Sequence, residues 1–70
     1  TAAFDRWRIN RRLMEAERCN LNAVLYNANA LACLANKDSV GAINWSAAAV
    51  SQLLLAQEYE AQAREIADAE

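Results

Sequence analysis

The sequence contains no proline, no histidine and a single glycine, Gly41. Without proline, nothing removes a backbone donor or forces a kink, so a helix, once started, has no internal reason to stop. Without histidine, general acid–base chemistry and zinc binding lose the side chain they use most often. One glycine is too few for a phosphate-cradling loop. The two cysteines, Cys19 and Cys33, do not form a CxxC pair. On one continuous helix they stand about 21 Å apart at ~1.5 Å per residue, beyond the span of a disulfide. Neither a zinc site nor a disulfide scaffold is therefore expected, no cofactor is expected, and a reducing, cytoplasmic setting is the default. Valine, isoleucine and threonine are few and scattered, and no period-two alternation lasts the length of a strand, which excludes a sheet. A net charge of −2 is too small to point to a strongly basic or acidic partner. No apolar run approaches the ~20 residues of a membrane span, and the N-terminal residues have no signal-peptide core.

What remains is a composition rich in alanine, leucine, glutamate, glutamine and arginine, the residues that lose least entropy on entering a helix. Seventy residues make one domain, which buries only about 60% of its unfolded surface. The reading is an all-α protein: an antiparallel hairpin of two long helices over residues 1–70, assembling into a multi-helix bundle. The first helix is expected over about 4–38, the turn over about 39–44 and the second helix over about 45–68. Asn36, Lys37, Asp38 and Ser39 are the polar cluster before Gly41, a natural helix-ending position, and Asn44 is chosen as the second N-cap. A restart at Asp38 or Ser39, with Gly41 inside the helix, is the alternative. Folding about residue 41 brings the arginine-rich start of the chain toward its acidic end, with Arg18 roughly opposite Glu65, and leaves Phe4 and Trp7 projecting past the second helix.

Around the first helix, Leu21, Val24, Leu25, Ala28, Leu31, Ala32 and Ala35 share one face, and Cys19, Ala23, Tyr26, Ala30, Cys33 and Leu34 share the opposite one. Asn22, Asn29 and Asn36 line one border at seven-residue intervals, and Asn20 and Asn27 the other. A helix apolar on two faces is buried on two faces, and one partner helix covers only one of them. The second helix repeats the pattern, with Ala47, Val50, Leu53 and Leu54 on one side and Trp45, Leu55, Tyr59 and Ile66 on another. Leu21, Val24, Leu31, Val50, Leu53 and Leu54 are expected to form the intrachain core. Tyr26, Ala30, Leu34, Trp45, Leu55, Tyr59 and Ile66 are expected at an interface between copies of the chain or with other helical subunits. The two stripes are interchangeable in this reading.

No paired carboxylates or activated nucleophile emerge: Glu15 and Glu17 point different ways on a helix, and the other acids are mostly gathered in the tail. The chain is therefore read as a non-enzyme. The strongest competing signal is FDRWRINRR, residues 4–12, where Phe4 and Trp7 interleave with Arg6, Arg8, Arg11 and Arg12. That mixture grips phosphates and stacks on bases, and the same residue types are enriched at the energetic centres of protein interfaces. An adaptor or regulator binding nucleic acid or a protein through this segment is the alternative function.

In its overall run, NLNAVLYNANALACLANKD leading to a glycine and then NWSAAAVSQLLLAQEYEAQAREIADAE, the chain resembles the alanine-, asparagine- and glutamine-rich helical proteins of tailed bacteriophages, internal virion or ejection proteins in particular. The resemblance carries no diagnostic motif and no residue roles. It implies a structural or assembly component present in multiple copies, located in a virion.

Overall fold

The computed structural model describes residues 1–70 as two α-helices and no strand: α1 over Ala2–Ala35 and α2 over Ser39–Asp68. They pack antiparallel along their full length in a rod 54 Å long and 14 × 9 Å in section, measured on Cα atoms. The protein is an all-α helical hairpin.

Three local devices set the helix ends. Thr1 caps α1, its hydroxyl accepting a hydrogen bond from the Phe4 N–H at 3.1 Å, which satisfies one of the donors left free in a first turn. At the other end the Asp38 N–H donates to the Cys33 carbonyl and the Lys37 N–H to the Leu34 carbonyl, the two bonds of a Schellman closure. The left-handed position of that closure is occupied by Lys37, with φ 60°. Asp38 then caps α2 directly, its carboxylate accepting from the Gly41 N–H at 2.9 Å. The expected turn over 39–44 and cap at Asn44 are therefore incorrect, and the alternative restart is the one adopted. A carboxylate one residue past the Schellman closure satisfies the first turn of α2 before any later residue is needed. Gly41 lies inside α2, and its lack of a side chain serves a close approach: a Cβ there would meet the Asp38 carboxylate and stand 3.0 Å from the Cys33 sulfur.

The early restart moves the fold point toward Lys37 and changes the pairing of the helices. Asn22 hydrogen-bonds Gln52 across the seam at 3.3 Å, the Tyr26 and Trp45 rings meet at 5.3 Å, and Ala16 and Cys19 cluster with Ala56. Arg18 is thus level with the Leu55–Ala56 region and not with Glu65. The two helices, 34 and 30 residues long, are nearly equal, so Trp7 does not project beyond α2.

The seam itself is made of alanine. The buried residues are Ala16, Cys19, Ala23 and Ala30 on α1 and Ala42, Ala49, Ala56 and Ala63 on α2. Within each helix the alanines recur every seven residues, and the half-buried Arg12, Tyr26, Cys33, Gln52, Tyr59 and Ile66 fill the alternate seam positions three or four residues away, the spacing of a left-handed antiparallel coiled coil. Methyl groups facing one another let the helix axes approach toward the short end of the usual ~8–10 Å range. The expected core of Leu21, Val24, Leu31, Val50, Leu53 and Leu54 is contradicted: all six are exposed. Leu21, Val24, Leu31, Val50 and Leu54 lie on the backs of the helices, and Leu53, 41% exposed beside Gln52, flanks the seam.

Candidate functional site

Two features stand out on this rod. The first follows from where charge is missing. From Cys19 to Asn36 on α1, and again from Ser39 to Gln57 on α2, no residue is charged. Only Lys37 and Asp38 interrupt this at the turn. The half of the hairpin next to the turn, called here the tip, is therefore uncharged along both helices, and all other charges gather in the opposite half, the base.

The backs of the tip are apolar. Leu21, Val24, Leu25 and Leu31 on α1 and Ile43, Val50 and Leu54 on α2 are all more than half exposed. Because each helix turns its alanines toward the other, the two backs point away from each other on opposite sides of the rod. The exposed area is large for the mass. A compact folded monomer of 7.7 kDa exposes about 4,300 Å², whereas the hairpin exposes 5151 Å². The surplus of roughly 800 Å² is about what one partner contributes to a standard protein–protein interface. Large apolar side chains gathered on the surface of a small protein mark interaction surfaces. By length and composition α2 also qualifies to cross a membrane, and only 17% of its most apolar window is buried within the hairpin.

The stripe expected at the interchain interface is placed largely inside the hairpin. Ala30 is buried in the seam, Tyr26 and Trp45 meet ring to ring between the helices, Tyr59 packs against the Ala16–Cys19–Ala56 cluster and Ile66 is half-buried. Leu55 flanks the seam and Leu34 is exposed near the turn. The interchangeable stripes thus resolve with the alanine–tyrosine stripe within the chain and the leucine–valine stripe outside.

The second feature is at the base. Phe4 and Trp7 stack with ring centroids 5.8 Å apart and planes inclined by 17°. The Arg8 guanidinium lies 5.8 Å from the Phe4 ring centre and the Arg11 guanidinium 5.4 Å from that of Trp7. One turn of spacing along a helix brings residues 4, 7, 8 and 11 onto one side, so the segment folds into a ladder of two stacked rings, each flanked by a guanidinium group. Arg8 also pairs with Asp5 at 3.5 Å. Arg12 turns toward the seam, donating to the Arg8 carbonyl at 3.2 Å, and with Arg11, Glu15, Tyr59 and Gln62 lines a shallow groove. Arg6 is exposed and stands apart from the ladder. Of the six residues expected to contact a partner, four are brought together and two are not. The aromatic faces are already occupied in part by the chain's own arginines, which reduces what they offer to an incoming base.

Cys19 and Cys33 are both free thiols. Cys33 sits under the turn, where partial burial and then the charge and hydrogen bonding of Asp38 raise its pKa above the ordinary thiol value. No three histidine, cysteine, aspartate or glutamate side chains converge on a point. No protein-family model, curated protein or solved structure matches the chain.

Proposed function

We propose that this protein is a non-catalytic structural component that works by packing against further copies of itself or other helical subunits. The observation that carries the reading is the pair of uncharged, apolar backs on the tip half of a hairpin whose fully buried residues are seven alanines and Cys19. Burying a methyl contributes about 0.8 kcal/mol, against ~1.5–3 kcal/mol for a leucine or valine side chain. The alanine seam buries the small side chains and leaves the large ones for a neighbour. Exposure of this kind is stabilising only when something covers it. The resemblance to helical phage proteins supports a virion as the setting, since such particles are built from many copies of short helical chains.

Sedimentation velocity over a concentration series, in reducing buffer at moderate salt, tests the proposal. A discrete oligomer that persists as salt rises is the expected result, because apolar association does not depend on counterion release. A compact, folded monomer at every concentration overturns it. The arginine–aromatic ladder supports a second reading, binding of nucleic acid at the base. That reading predicts an affinity for single-stranded oligonucleotide falling steeply with salt, and it fails if the oligonucleotide does not bind at low salt.

A further inference from the structure

We propose that copies of the hairpin associate side by side with their tips aligned, the back of α1 in one copy packed on the back of α2 in the next. The chain then builds a ring or an open row and not a twofold pair. This rests on the self-association reading above and specifies its geometry.

The apolar backs of α1 and α2 face opposite directions, and a twofold contact uses the same patch on both subunits. A twofold pair joined through α1 leaves both α2 backs bare, and one joined through α2 leaves both α1 backs bare. A heterologous contact, α1 against α2, covers both backs of every internal copy with a single kind of interface, and its repetition closes a ring or runs on as a row; a row alternating α1-on-α1 and α2-on-α2 contacts would cover them too, and charge opposes it.

Charge sets the direction of neighbouring copies. Turning alternate copies end for end lays Leu21, Val24 and Leu25 against the base, where α2 carries Glu58, Arg64 and Glu65, and buries charges away from water without partners. Aligned tips place uncharged half against uncharged half. At the base, α1 then presents the exposed Arg11 and Arg18, and α2 the exposed Glu58 and Glu65. None of the four is in an ion pair within the hairpin, whose one salt bridge joins Arg8 and Asp5. Arg11 is level with the Tyr59–Gln62 turn, and Arg18 is level with Leu55 and Ala56 beside the Ala16–Cys19–Ala56 cluster. Arg11 with Glu65 and Arg18 with Glu58 therefore lie within about one helical turn of the same height, ~5.4 Å, inside the reach of an arginine. The remaining charges on the two backs, Glu17 and Arg64, stand roughly 12 Å apart in height and Asp68 lies beyond them. Contacts of α1 with α1 oppose arginines to arginines, and contacts of α2 with α2 oppose acids to acids.

Thiol cross-linking of the full chain tests this. Val24 and Val50 are on opposite backs at the same height, between the Asn22–Gln52 and Tyr26–Trp45 contacts. In a Cys19→Ala, Cys33→Ala background shown by circular dichroism to keep its helices, the double variant Val24→Cys, Val50→Cys is treated with a short bismaleimide. The expected product is a ladder of dimer, trimer and higher species, with no covalent dimer from either single-cysteine variant alone and dimer only from a mixture of the two. Dimers from one single-cysteine variant and no ladder mean twofold pairing, which overturns the heterologous arrangement and leaves the self-association reading standing. A monomer in sedimentation at all concentrations overturns both, as does a monomer that floats with phosphatidylcholine vesicles, where lipid covers the backs.

Charge reversal supplies an independent test. Arg11→Glu with Arg18→Glu, and separately Glu58→Arg with Glu65→Arg, should each raise the association midpoint by about tenfold, and a 1:1 mixture of the two should restore assembly. No rescue on mixing overturns the arrangement.

Discussion

In a conventional helical core, shrinking a leucine is costly and enlarging a surface alanine is harmless; in this hairpin the order is reversed. Ala49 is 1% exposed and faces α1 across the seam. Ala49→Leu adds three carbons where the facing helix leaves no room, and overpacking of this kind costs about 1–3 kcal/mol. For a domain of this size each kcal/mol moves the melting temperature by roughly 4–8 °C. Leu54 is 60% exposed. Truncating it in the isolated hairpin loses only the buried minority of its side chain, less than about 1 kcal/mol, and alanine returns a little helix propensity. Urea denaturation followed by far-ultraviolet circular dichroism measures both variants, at a concentration where sedimentation shows monomer. The expected result is a lower midpoint for Ala49→Leu and a midpoint near wild type for Leu54→Ala. A stabilised Ala49→Leu together with a Leu54→Ala loss above about 2 kcal/mol would refute the alanine seam and return the leucine stripe to the core.

Three further outcomes concern the turn. Lys37 holds a left-handed conformation that costs a non-glycine residue about 1–2 kcal/mol, so Lys37→Gly should stabilise the hairpin by about 0.5–1 kcal/mol after the greater freedom of glycine in the unfolded chain is set against it, read as a raised urea midpoint. Removing the α2 cap by Asp38→Ala should cost about 1 kcal/mol, with helical signal lost first from the tip in amide hydrogen exchange. The raised pKa of Cys33, caused first by partial burial and then by Asp38, means that folding favours the neutral thiol. Its contribution to stability is fully present below the thiol's unfolded pKa and is lost as pH rises through the raised folded value. Alkylation of Cys33 by iodoacetamide, followed by mass spectrometry across mildly alkaline pH, should therefore be slower than for a free thiol and should accelerate in Asp38→Ala; equal rates in the two proteins contradict the coupling.

The helical class and the hairpin were legible because every local signal agreed: no proline, abundant helix formers and one short polar cluster at residues 36–39. The turn was misread because glycine is the ordinary left-handed residue, and here a lysine takes that position while glycine serves a close approach beside Asp38 and Cys33. That shift of a few residues displaced the pairing of the helices and with it the expected projection of Phe4 and Trp7. The core was misread for a different reason. Large side chains dominate a judgement of which face is buried, whereas helix approach is governed by the smallest residues at the contact. The signal was nevertheless present, since alanine recurs at 16, 23 and 30 and again at 42, 49, 56 and 63, an uninterrupted heptad in both helices. The arginine–aromatic ladder was legible in composition but not in arrangement, because which guanidinium covers which ring depends on rotamers that spacing alone does not fix.

In the proposed assembly the backs of the tip are covered by neighbouring copies while the alanine seam is internal to each chain. Hydroxyl-radical footprinting at a dilute, monomeric concentration and at a concentrated, assembled one tests it residue by residue. Labelling of Leu21, Leu25, Leu31 and Leu54 should be high when dilute and fall on assembly, while Met14 and Trp7 at the base change less and Tyr59 in the seam stays constant. Unchanged labelling of the four leucines in a protein that sediments as an oligomer would contradict the claim, as would leucines already protected in the monomer.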